Sequence, residues 1–343
     1  MFPLLDLPDE AVERVLGSVS GREDRRALRL AFKRGRAAVD RGVVAVWGAR
    51  LGLSGRTRNS QAQLSVLSGA PWRLQRLCLR NCQLGAESVA TLAADQAGPG
   101  LVQLDLSDNF TLGDAGAAAL AAADWPCLET VYLVGCRLGP PGAVSLAAAA
   151  WPRLKTLYIS CNRLGGQGAA ALTAGTWTAL EKLHLCHNRI GSDGAAALAA
   201  RSWASLDTLS LSYNNIGPVG AARLAAGSWP TLRVLCLRSS ELGAAGAAAL
   251  AAGRNWPSLS TLALAENDLG AAGAAVLTAA NFPNLRSLDV ASNHLGDNAA
   301  AALMAAHWPD LMELHLQKNE ISTEGKATLA AAASGQFRLQ LEV

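Results

Sequence analysis

One motif, Leu-x-x-Leu-x-Leu, returns at Leu74, Leu101, Leu128, Leu154, Leu180, Leu206, Leu232, Leu259, Leu285 and Leu311, each 26 or 27 residues after the last. A period of that length makes the chain stack like units side by side. Each unit is too short to bury its apolar face alone, so stability comes from neighbours. The 343 residues would make two or three ordinary domains, but a self-similar chain of that length also makes one elongated array.

The unit beginning at Leu154, "LKTLYISCNRLGGQGAAAL", reads as a strand, a turn and then a helix. Leu154, Leu157 and Ile159 alternate inward, and Thr156, Tyr158 and Ser160 point the other way. Asn162, Asn188, Asn214, Asn267, Asn293 and Asn319 stand where the backbone leaves the strand, and Cys82, Cys136 and Ser240 replace them elsewhere. An amide there satisfies turn groups that would otherwise be orphaned. Gly165 and Gly168 supply permissive backbone, and Leu172, Leu198, Leu224, Leu250, Leu277, Leu303 and Leu329 face inward from alanine-rich helices. Trp125, Trp151, Trp177, Trp203, Trp229, Trp256, Phe282 and Trp308 each precede a strand leucine by three residues. Their regularity predicts a packed structural column, not a ligand stack.

Apolar residues are 50% of the chain, much of that alanine, and no stretch is long and apolar enough to cross a bilayer. The opening "MFPLLDLPDE" lacks the basic start and apolar run of a secretory signal. Seven scattered cysteines fit a reducing compartment better than a disulfide framework. The expected location is the cytoplasm, or the nucleus, with no membrane association. A net charge of +3 does not imply nucleic acid. Arg22–Arg58 carries eleven Arg or Lys against three acids, but only Phe32 and Trp47 interrupt it as aromatics, so a solvated helical face is the better reading.

From Leu74 onward the motif resembles leucine-rich repeats of ribonuclease-inhibitor type, in the variant nicknamed GALA for its Gly-Ala-Leu-Ala helix. The resemblance implies an α/β fold, a leucine-rich-repeat solenoid with a curved parallel sheet inside and helices outside. Residues 74–343 would form about ten repeats plus a C-terminal cap strand built on "FRLQLEV".

The start shares none of this pattern. Val12, Val15, Leu16 and Val19 have helical spacing behind Pro8, with Asp9 and Glu10 suited to a helix N-terminus, and Asp24 opens a second helix carrying Leu28 and Phe32. Leu7, Pro8, Glu10, Val15, Leu16, Ser20, Asp24, Leu28, Leu30, Arg34 and Arg36 resemble an F-box. Phe32 stands where that family often has Cys, and Gly35 where it has Trp. The expected organisation is a small helical module over residues 1–50, a linker and N-terminal cap over 51–73, and the repeats. The F-box resemblance implies that Leu7, Pro8, Glu10, Val15, Leu16, Leu28 and Phe32 dock a Skp-type linker of a cullin-based ubiquitin ligase.

Outward strand positions define the wall on which a partner would sit. Tyr132, Tyr158 and Tyr213 are all the tyrosines in the chain, and they fall there beside His184 and His187, with Arg238 in a neighbouring column. Tyrosine joins apolar area to a polar tip and is favoured at interfaces; strand propensity alone also favours it. These six residues are the candidate partner-binding surface. Cys161, Cys186, His184 and His187 suggest zinc only weakly, since no Cys-x-x-Cys frames them. An open wall likewise offers a Cys–His pair no enclosed pocket and no oxyanion donor. The expectation is a non-enzymatic protein-binding adaptor without metal or cofactor. Its alternatives are a repeat scaffold with no ligase role, an activator of the GTPase Ran, and a ribonuclease-inhibitor-like regulator.

Overall fold

The computed structural model describes residues 45–47, 75–94, 100–253, 256–333 and 338–341. Leu7, Pro8, Glu10, Val15, Leu16, Leu28 and Phe32 lie outside the described residues. The chain divides into two compact units, one running to Asn162 and including Ala174–Ala179, the other comprising Arg163–Thr173 and Leu180 onward.

In the first unit the strands β1 (Ala45–Trp47), β2 (Arg76–Cys78), β3 (Gln103–Asp105), β4 (Thr130–Tyr132) and β5 (Thr156–Tyr158) follow one another in a parallel sheet. Helices α1 (Ala86–Ala94), α2 (Gly113–Ala121) and α3 (Pro140–Ala147) alternate with them and pack in sequence order. β1 comes from residues that the sequence reading places at the end of the helical module. Its Val46 pairs in register with Leu77.

The second unit repeats the arrangement. It opens with α4 (Gly165–Leu172), followed by β6 (Lys182–His184), α5 (Gly191–Ala200), β7 (Thr208–Ser210), α6 (Gly217–Ala226) and β8 (Val234–Cys236). It continues with α7 (Gly243–Ala252), β9 (Thr261–Ala263), α8 (Gly270–Thr278), β10 (Ser287–Asp289), α9 (Asp297–Met304), β11 (Glu313–His315), α10 (Thr323–Ala332) and β12 (Arg338–Gln340). Its strands are also parallel, in sequence order. Both units thus have the architecture of a leucine-rich-repeat solenoid.

The core of each unit lies between sheet and helices. Leu104, Leu106, Leu133, Leu157 and Ile159 are fully buried in the first, as are Leu183, Leu209, Leu237 and Leu264 in the second. Burying one such side chain contributes about 1.5–3 kcal/mol, so each repeat's set outweighs any single surface contact. The helices approach so closely that a Cβ on Gly220 would lie 3.1 Å from Ser192 Cα and 3.3 Å from Ala195 Cβ of the neighbouring helix. That spacing explains why small residues fill the helix faces. The tryptophans form the buried column expected: Trp125, Trp203, Trp229 and Trp256 each donate Nε1–H to a leucine carbonyl at the end of the preceding helix. These four both fill volume and satisfy a terminal carbonyl, whereas Trp151, Trp177 and Trp308 are buried with Nε1 unpartnered among the described residues and contribute by packing.

Candidate protein-docking face

What each strand shows to solvent depends on how the chain leaves it. Asn214 Oδ1 accepts from the N–H groups of Asn188 (2.7 Å) and Ile190 (3.3 Å), while Nδ2 donates to the carbonyls of Leu185 and Leu211, both at 2.9 Å. Asn162 does the same in the first unit, accepting from Cys136 and Leu138 and donating to Leu133 and Ile159. A buried amide of this kind fixes two successive turns at once. The residues flanking it take left-handed backbone angles: Tyr213 has φ 60° and Asn215 φ 51°, and His187 and Arg189 have φ 55° and 56°. Non-glycine residues enter that region at a cost of about 1–2 kcal/mol, so only a firmly held turn keeps them there.

Asn109 performs this role as well, accepting from Cys82 and Leu84 and donating to Leu79 and Leu106. The sequence reading missed it because its repeat has one extra residue between the asparagine and Leu112. The insertion leaves Phe110 53% exposed, with the Arg137 guanidinium 5.8 Å from its ring centre.

The six candidate residues separate into distinct groups. In the first unit Tyr132 and Tyr158 end β4 and β5, directly opposite one another in register. Their rings stack with centres 4.5 Å apart and planes 4° from parallel. Both are half-buried, so each keeps part of its surface in solvent. Burial raises the Tyr132 phenol above its ordinary pKa, with the Tyr158 hydroxyl and the Asp105 carboxylate adding to the effect.

In the second unit His187 and Tyr213 lie past the ends of β6 and β7, in the turn and not in the strand columns. Their rings also stack, 4.1 Å apart and 8° from parallel. Tyr213 Oη donates to Glu266 Oε2 at 3.3 Å, and the same carboxylate holds Arg238 Nη2 through Oε1. The Arg238 hydrogen bond, ahead of all other effects, lowers the Glu266 pKa, and the same bond raises that of Arg238. A shallow groove of about 590 Å³ opens beside Tyr213, lined by Asn215, Ser239, Glu241, Glu266 and Asp268 among others. His184 stands apart from this stack at the end of β6, half-buried, with its pKa lowered by burial and secondly by Lys182.

The thiols of the turn positions are unsuited to nucleophilic work. Burial pushes Cys82 up to about 11 and Cys136 up to about 12, so both stay protonated at neutral pH. Cys186 Sγ lies 2.9 Å from Ser210 Oγ in the second unit. Among the described residues, no group of three or more His, Cys, Asp or Glu side chains is arranged to hold a metal ion. No described helix is long and apolar enough to cross a membrane. Each unit carries a stacked aromatic pair with a carboxylate near it, at the end of a strand in the first and in a turn in the second.

Repeats and sheet define the class as a leucine-rich-repeat solenoid. The leucine-rich repeat family matches residues 101–121, 126–147, 153–172, 178–199, 204–225 and 283–304. No curated protein sequence matches the chain. Among solved structures, a chain of the crystal structure of the Rad7 and Elc1 complex in yeast is 15% identical, with 94% of this chain and 98% of that chain covered and a TM-score of 0.44. The Arabidopsis receptor kinase HAESA, solved with the peptide hormone IDA and the co-receptor SERK1, is 22% identical, with 82% of this chain and 43% of that chain covered and a TM-score of 0.43.

Proposed function

We propose that the protein is a non-enzymatic interaction adaptor that holds a protein partner through solvent-facing side chains of its repeats. The observation that carries this reading is the pairing of solvent-touching aromatics into parallel stacks, Tyr132 with Tyr158 and His187 with Tyr213. Leucines already fill the inward positions, so folding does not require aromatics on the outward side. Stacked rings on rigid strand ends or turns are preorganised and lose little side-chain entropy on binding.

The finer reading is an F-box-type substrate receptor of a cullin-based ubiquitin ligase. It is supported by the residues from Leu7 to Phe32 that resemble an F-box, placed ahead of a repeat array. Leu7, Pro8, Glu10, Val15, Leu16, Leu28 and Phe32 dock the Skp-type linker, and the sheet residues hold the substrate. Co-precipitation of the full chain with a purified Skp-type linker tests this. Capture is expected, and it should disappear in a Leu7, Pro8, Leu16 triple alanine variant that keeps the wild-type circular dichroism. No capture by the wild type would reduce the reading to a repeat scaffold. Alanine at both Tyr158 and Tyr213 should lower recovery of a bound substrate while leaving linker capture intact.

A further inference from the structure

Five positions form one row across the first unit's sheet, since Trp47 pairs in register with Cys78, Cys78 with Asp105, Asp105 with Tyr132, and Tyr132 with Tyr158. Neighbouring strands lie about 4.8 Å apart, close to the 4.5 Å between the two ring centres. Rings lying flat on the sheet could not come so near. The tyrosines therefore stand on edge, face to face along the row. Tyr158 covers one face of Tyr132, and the other looks back over Asp105, whose side chain is too short to cover it.

Asp105 supplies a charge at the foot of that face. Its Oδ1 accepts from the Ser107 N–H at 2.9 Å, and the Cys78 thiol lies 3.6 Å from Oδ2. Among the described residues it forms no salt bridge. The nearby Arg80 is engaged elsewhere, with Nε 2.6 Å from Asp108 Oδ2. An aromatic face with a carboxylate at its foot, one strand away, suits a flat cation that stacks on the ring and donates hydrogen bonds to the carboxylate. A guanidinium has that shape, and a compact, strongly hydrated ammonium does not.

We propose that the notch formed by Tyr132 and Asp105 receives an arginine side chain of the protein partner. The inference rests on the proposed docking face and specifies the partner's chemistry there. The second unit already contains a comparable grouping of its own, in which Arg238 occupies the carboxylate that Tyr213 also contacts. Tyr213 is thus an internal comparator.

The chain has three tyrosines, so ring-13C-labelled tyrosine in the full-length protein gives one set of signals for each. Titration with a capped Gly-Arg-Gly peptide should move the Tyr132 and Tyr158 signals saturably and leave Tyr213 in place. The same peptide with neutral citrulline should need about tenfold higher concentration for an equal shift, having lost its charge. D105N keeps an oxygen for the Ser107 N–H and should abolish saturation. If that variant loses the dispersed tyrosine signals of the fold, Y132L serves instead, read at Tyr158, and it should be equally silent. Absence of saturation in the wild type, or equal shifts with arginine and citrulline, would overturn the proposal. If substituting both tyrosines still released a bound partner, the docking face would stand and only the arginine assignment would fall.

Discussion

The two stacked pairs look alike and are made differently. Tyr132 and Tyr158 end strands, in ordinary pleated backbone, and owe their contact to strand register. His187 and Tyr213 sit in left-handed turn positions and owe theirs to the buried asparagines that hold successive turns alike. The first pair adjoins a carboxylate without a salt bridge among the described residues, while the second adjoins one already bonded to Arg238. Similar surface chemistry can thus be ready for a partner in one place and internally satisfied in another.

The sharpest way to break the comparison is to remove the asparagine beneath each pair. N162A and N214A each strip two backbone N–H groups and two carbonyls of their main side-chain partner. Each orphaned buried group costs about 1–3 kcal/mol, so a loss of at least about 3 kcal/mol is expected in urea unfolding. The tyrosine signals should also respond locally: N162A should disturb Tyr158 first and N214A Tyr213 first. Equal disturbance of both would mean that the turns do not hold the pairs separately.

A smaller effect separates strand from turn. At Tyr158 glycine should be worse than alanine by about 0.5–1 kcal/mol, as in any strand. At Tyr213, where φ is 60°, the order should reverse by about 1 kcal/mol, because glycine alone enters that region without cost. Comparing the unfolding midpoints of Y158A, Y158G, Y213A and Y213G reads the sign directly. The same order at both sites would show that the left-handed turn does not carry Tyr213.

The smallest effect is a pH dependence near neutrality that comes from histidines of the second unit. Burial lowers the pKa of His184 below the ordinary histidine value of 6.5, so between the folded value and 6.5 the unfolded chain binds more protons. Stability should therefore fall as pH drops through that window and be fully present above it. His294, exposed and hydrogen-bonded to Glu320, has a raised pKa and contributes with the opposite sign, its stabilisation fading as pH rises through the folded value. The difference between wild type and H184Q in midpoint against pH isolates the first effect. An unchanged profile in H184Q would remove it.

Much of this was legible before any coordinates. The leucine period identified the strands, their inward residues, the alanine-rich helices and the buried tryptophans. It failed locally at Asn109, where one inserted residue hid an asparagine doing the usual work and pushed Phe110 into solvent. It also placed Tyr213 and His187 on the strand wall, because nothing in their identity betrays a positive φ. Glycine and asparagine announce such positions; tyrosine and histidine are held there by the turn around them.

By itself the sequence determined the repeat and the alternation of side chains along each strand, because periods of two residues and of about 26 are properties of the chain. Which side chains meet was decided only by the tertiary structure. Tyr132 touches Tyr158, and Glu266 bonds both Tyr213 and Arg238, because parallel strands bring positions a full repeat or more apart in sequence to within a few ångströms. That register depends on the whole stack of turns and is written in no single unit.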